Sequence, residues 1–117
     1  MIDYDGRIFR PVTTSANAEV SEETLFRYRQ RRSVVTSAYQ GGRILTGHLI
    51  GLADDAGRLE FRYHQLTVDG ELQSGQCTSV PEVLEDGRIR LHETWQWSSG
   101  EAGTSVIEEV PGPRQAR

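Results

Sequence analysis

The sequence predicts an all-β protein, a single domain built as an antiparallel meander of about eight strands. Three observations carry that reading. Gly-Arg followed by Ile or Leu opens an apolar run at Gly6-Arg7-Ile8, Gly42-Arg43-Ile44, Gly57-Arg58-Leu59 and Gly87-Arg88-Ile89. The runs are joined by turn chemistry, with Asp69-Gly70 and Asp86-Gly87 the strongest hairpin signals. Within the runs, side chains alternate with a period of two, and no stretch sustains the helical period of 3.6.

Each element follows from its own residues. The first strand, Arg7–Val12, leaves the turn Asp5-Gly6, and Pro11 within it suits a sheet edge. An edge proline favours a sheet that stays incompletely closed. Asn17–Thr24 reads as a surface loop, with room for one helical turn. In Thr24–Gln30, Phe26, Tyr28 and Gln30 share one face against Leu25, Arg27 and Arg29. Ser33–Gln40 then runs to Gly41-Gly42. Arg43–Ala53 does not discriminate its faces, because Ile44, His48 and Ile50 oppose Leu45, Leu49, Gly47 and Gly51. Beyond Asp55-Ala56-Gly57, the strand Arg58–Val68 sets Leu59, Phe61, Tyr63 and Gln65 against Glu60, Arg62 and His64. Glu71–Val80, Arg88–Trp97 and Thr104–Val110 complete the set. The β domain therefore spans residues 1–110, and residues 111–117, Pro-Gly-Pro-Arg-Gln-Ala-Arg, form a flexible C-terminal tail.

Antiparallel strands of this number and length coil rather than lie flat. The expected architecture is a curved sheet or a small up-and-down barrel of the lipocalin or avidin kind.

Composition narrows the function. The 117 residues suffice for one core, and 36% hydrophobic with 26% charged residues is the composition of a globular chain. A net charge of −4 argues against a nucleic-acid partner, which calls for an excess of positive charge facing phosphates. No apolar run approaches the roughly 18 residues of a membrane-spanning helix, so no membrane partner is expected. The start, Met1-Ile2-Asp3-Tyr4-Asp5, is acidic and has no apolar stretch of the signal-peptide kind. The single cysteine, Cys77, leaves no internal disulfide. Both observations fit a cytoplasmic location.

The inward-facing set on Arg88–Trp97 contains the candidate site. Ile89, Leu91, Glu93, Trp95 and Trp97 fall on one face, so a carboxylate stands among aromatics. Burying an unpaired carboxylate costs several kcal/mol. Glu93 must therefore meet a cation, accept hydrogen bonds, stay protonated or face a wet cavity. Tyr28, Tyr63 and Gln65 share its nominal side, and with Trp95 they define a candidate small-molecule pocket. A cavity of at least about 300 Å³ would suit such a ligand. A closed hydrogen-bonded core network, or a bulge turning Glu93 to solvent, are the structural alternatives.

Other motifs point elsewhere. Trp95 and Trp97 suit the aromatic core of a small β protein as well as a ligand stack. His48, His64 and His92 lack zinc-ligand spacing, so no metal site is expected. Cys77 has no neighbour in sequence that would lower its pKa, and reads as a buried, inert thiol. There is no Gly-x-Ser-x-Gly, no P-loop and no Gly-x-Gly-x-x-Gly, hence no catalytic residue and no cofactor to name. Arg27, Arg29, Arg62, Arg88 and Arg90 point outward, as a solvated face or a surface for an anion.

Several strings are familiar as a set. They are Tyr4-Asp5-Gly6-Arg7-Ile8-Phe9-Arg10, Glu19-Val20-Ser21-Glu22-Glu23-Thr24-Leu25-Phe26, Tyr39-Gln40-Gly41-Gly42, Ile107-Glu108-Glu109 and the long run Asp86–Trp97. With Gly-Arg-Ile-Arg-Leu-His-Glu-x-Trp-Gln-Trp at its centre, this set resembles a family of small bacterial proteins commonly labelled N-acetylglutamate synthase. The resemblance spans nearly the whole chain and implies acetyl transfer to glutamate. It carries no catalytic residue over, since the Arg/Gln-x-x-Gly-x-Gly/Ala loop that holds acetyl-CoA is missing here.

The residues thus lead to a small-molecule binding or accessory module that is not an enzyme. A homo-oligomeric interaction protein with a packed core is the alternative, and an N-acetylglutamate synthase the third.

Overall fold

The structure, a computed structural model, describes residues 2–112. It contains β1 (Ile8–Thr14), β2 (Leu25–Arg31), β3 (Val34–Gly41), β4 (Ile44–Ala53), β5 (Leu59–Thr67), β6 (Leu72–Val83), β7 (Ile89–Trp97) and β8 (Ala102–Glu109). Each strand pairs antiparallel with its neighbour in sequence, and β8 returns to β1, so the meander closes into a barrel. The predicted strands are all present. The largest difference is at β6, which continues to Val83 rather than ending at Val80. The predicted tail lies largely outside the described residues, which include only its exposed Pro111 and Gly112.

Full closure corrects the expectation drawn from Pro11. The β1–β2 ladder consists only of Ile8↔Arg27 and Phe9↔Phe26, after which the strands diverge. Pro11 lies beyond that point and pairs with Ile107 on β8, so no bond to β2 is asked of its nitrogen. A bulge between Pro11 and Thr13 then redirects the end of β1. The proline occupies the weakest seam of a closed sheet.

The ambiguous faces of β4 have a local cause. Its register shifts between Ile44 and Thr46, and this bulge puts both Ile44 and Leu49 inside. Their odd spacing is forbidden to a regular strand, so alternation alone does not assign them. For β2, β5 and β7 the alternation holds: Phe26 and Tyr28, Leu59, Phe61, Tyr63 and Gln65, and Ile89, Leu91 and Trp95 are buried.

The two ends of the barrel differ. At one end the segment before β1 folds across the opening. Tyr4 is fully buried there, and its hydroxyl donates to the Gly57 carbonyl. Its ring meets Phe9 and Tyr28 at centroid distances of 6.4 and 6.0 Å, which makes an aromatic floor. Beside the floor, Arg7 forms an ion pair of 2.7 Å with Glu109, tying β8 to the start of the chain. The opposite end carries the long loop 15–24 between β1 and β2. It contains no helical turn, and Ala18 and Val20 pack down onto the core rather than standing on the surface.

Candidate ligand-binding site

Three hairpins build the wall at the looped end by the same device. An aromatic residue on the first strand of each faces a glycine on the second: Tyr39↔Gly47, Tyr63↔Gly75 and Trp95↔Gly103. A Cβ on those glycines would stand 2.4 Å from Tyr39 Cε2, 2.5 Å from the Tyr63 hydroxyl and 2.3 Å from Trp95 Cη2. The rings therefore lie over bare backbone, flat against the wall, where any other residue would push them into the lumen. The glycines fall evenly at 47, 75 and 103, a regularity visible in the sequence.

Rings and amides form a second layer. Tyr39 stacks on Phe26 at 4.5 Å, and its hydroxyl donates to Gln65 Oε1 at 2.9 Å. Gln65 in turn donates through Nε2 to Gln73 at 2.9 Å. Trp95 and Trp97 stack at 5.8 Å with 20° between their planes, and Trp95 Nε1 donates to Ser105 at 2.9 Å. Both hydrogen-bonding ends of these side chains are fixed, so the wall is rigid rather than adaptable.

Glu93 faces inward from β7 between Ser79 on β6 and Ser105 on β8, in register with both. Ser79 donates to its Oε2 at 2.9 Å. No bulge turns it to solvent. It is half-buried and lines the cavity, and the loss of solvating water there raises its pKa from the usual range to about 7. The hydrogen bonds from Ser79 and Cys77 offset part of that rise. Cys77 is buried beside it; burial first, and the nearby Glu93 charge second, push its thiol far above the range of a nucleophile.

Below Glu93 lies Tyr28, fully buried against Phe9 at a ring distance of 4.8 Å. Its hydroxyl is buried without a hydrogen-bond partner among the described residues. Burial raises its pKa, and the charge of Glu93 adds to the effect.

These groups surround a cavity of about 50 Å³ that opens at the looped end. Tyr63, Gln65, Glu93 and Trp95, four of the five residues proposed from sequence, line it. Tyr28 does not line it and belongs to the floor instead. Sequence reasoning missed Phe26, Tyr39, Trp97 and the loop residues Ala18, Glu19 and Val20, which line it as well. The regular glycines would have found Tyr39; nothing in the sequence marks the loop as a cover. The cavity is also well short of the expected 300 Å³. By the measure in which one water needs roughly 10–15 Å³, it admits a few waters or one slender group. The cause is loop 15–24, whose apolar residues occupy the mouth.

The arrangement defines a closed, eight-stranded up-and-down barrel with a polar-aromatic recess in its lumen. Over residues 2–110 the sequence matches the family described as avidin-like protein, and the chain belongs to that family. No curated protein matches it significantly.

Proposed function

We propose that this protein is a small-molecule-binding barrel that takes a flat, slender ligand end-on at the looped mouth, with an N–H donor directed at Glu93. The observation that carries the reading is Glu93, an acceptor that lines the cavity among aromatic rings with the Ser79 hydroxyl bonded to its Oε2. A cavity-lining carboxylate with lone pairs beyond the one Ser79 fills is what a bound N–H donor would complete. The stacked pairs Trp95–Trp97 and Phe26–Tyr39 supply apolar faces for a ring or a planar amide. A ligand larger than the present cavity enters by displacing loop 15–24.

Membership in an avidin-like family makes biotin the first probe. Titration of the purified protein with biotin is followed by tryptophan fluorescence, since Trp95 and Trp97 border the site. Native mass spectrometry of protein from its own host adds any copurifying ligand. Saturable quenching that Glu93→Gln weakens tenfold or more supports the reading. Biotin without effect, together with a bare chain mass in the native spectrum, overturns it. The acetyl-transfer activity implied by the resemblance has its own assay: production of N-acetylglutamate from glutamate and acetyl-CoA.

A further inference from the structure

We propose that His48 and His64 chelate a divalent transition-metal ion, with zinc(II) as the type case, and that the same pair on a second copy of the chain completes its coordination. The sequence separates these histidines, but the register places them directly opposite each other on β4 and β5, pointing outward. Their ring centroids are 5.9 Å apart with 39° between planes. Two imidazoles sharing one tetrahedral ion at metal–nitrogen distances of 2.0–2.1 Å hold their centroids roughly 5 Å apart, so a small side-chain rotation closes the chelate. Antiparallel cross-strand neighbours need no backbone movement for this.

Both rings are free for the task. Among the described residues neither takes a hydrogen bond or an ion pair, whereas His92 bonds Glu82 at 2.9 Å. Their flanking partners in the same row are Ala38 on β3 and Ser74 on β6, both too small to cover them. No set of three or more His, Cys, Asp or Glu side chains converges among the described residues. One chain therefore supplies two donors and leaves coordination positions open.

The surface around the pair indicates what fills them. β3 and β4 contain no Asp, Glu, Lys or Arg. Ile50 and Leu52 beside His48 are 53% and 60% exposed, and Leu72 near His64 is 84% exposed. The two charges bordering the pair on β5, Glu60 and Arg62, face each other at 3.9 Å. By contrast, the β7–β8 face is held by ion pairs of Arg88 and Arg90 with Glu108. A largely apolar face whose Glu60 and Arg62 pair with each other can meet its own copy across a two-fold axis without burying an unpaired charge. Two histidines from each copy would then give one ion a four-imidazole shell.

Light scattering and calorimetry of the full chain with zinc chloride test this. The expected result is one zinc per two chains, a mass that doubles with zinc and reverts with EDTA, and a loss of roughly tenfold or more in zinc affinity for His48→Ala and for His64→Ala. Both residues are exposed, so unchanged melting temperatures confirm that the variants fold, and His92→Ala serves as the control that retains binding. Absence of zinc binding, binding that survives both single variants, or a mass indifferent to zinc overturns the proposal.

Discussion

Ser79 and Glu93 are direct cross-strand partners, and the serine hydroxyl donates to Glu93 Oε2 at 2.9 Å inside the barrel. One hydroxyl does not replace the water a carboxylate loses on burial, which is why the carboxyl titrates near pH 7. The consequence for stability has a definite sign. An acid whose pKa is raised in the folded state leaves the fold most stable below its unfolded value. Stability then falls as pH rises from about 4.5 to about 7 and stays at the lower level above. The shift corresponds to about 3 kcal/mol. Urea unfolding at pH 5 and pH 8 should show wild type losing that much more than Glu93→Gln over the interval.

Tyr28→Phe separates ligand use from folding. The hydroxyl is buried without a partner, so its removal should leave the free protein unchanged or stabilise it by up to about 1 kcal/mol. Ligand affinity should change little, because Tyr28 belongs to the floor and does not line the cavity. Thermal unfolding of the variant, with and without the ligand found by native mass spectrometry, reads both effects. A clear destabilisation of the free protein would show that the hydroxyl is already satisfied.

Gly103→Ala tests the flat-ring wall. Its Cβ would lie 2.3 Å from Trp95 Cη2 and 2.4 Å from the Ser15 hydroxyl. The indole is also tethered through Nε1 to Ser105, so it yields poorly, and overpacking of this kind costs roughly 1–3 kcal/mol. Near-ultraviolet circular dichroism should report the displaced Trp95–Trp97 stack.

Arg7→Met tests what closes the barrel at the floor. Arg7 and Glu109 have side chains only 14% and 8% exposed, and Glu109 Oε1 also accepts from the Ile89 amide at 3.1 Å. Removing the arginine strands a buried carboxylate, at a cost of about 3–5 kcal/mol. Glu109→Gln in the same chain should recover much of the loss, because the amide oxygen keeps the Ile89 bond without a charge. Chemical denaturation of the three variants closes the cycle.

The sequence by itself determined the strands, most of their faces and the position of Glu93 among aromatics. Those features rest on period-two alternation and on turn glycines such as Gly57 and Gly87, whose φ angles of 84° and 86° favour the only residue without a Cβ. Such signals are local, and each is complete within one hairpin. Only the tertiary structure decided that the sheet closes in spite of Pro11, because that depends on where β2 leaves β1 and on how β8 arrives. It alone brought His48 opposite His64, a matter of register across a turn, and it alone laid loop 15–24 over the mouth. Alternation places a side chain inside or outside; it does not say how much room is left there. For this barrel the room is set by contacts between residues remote in the chain, and that is why Tyr63, Gln65, Glu93 and Trp95 could be placed inside from alternation while the cavity's cover and size could not.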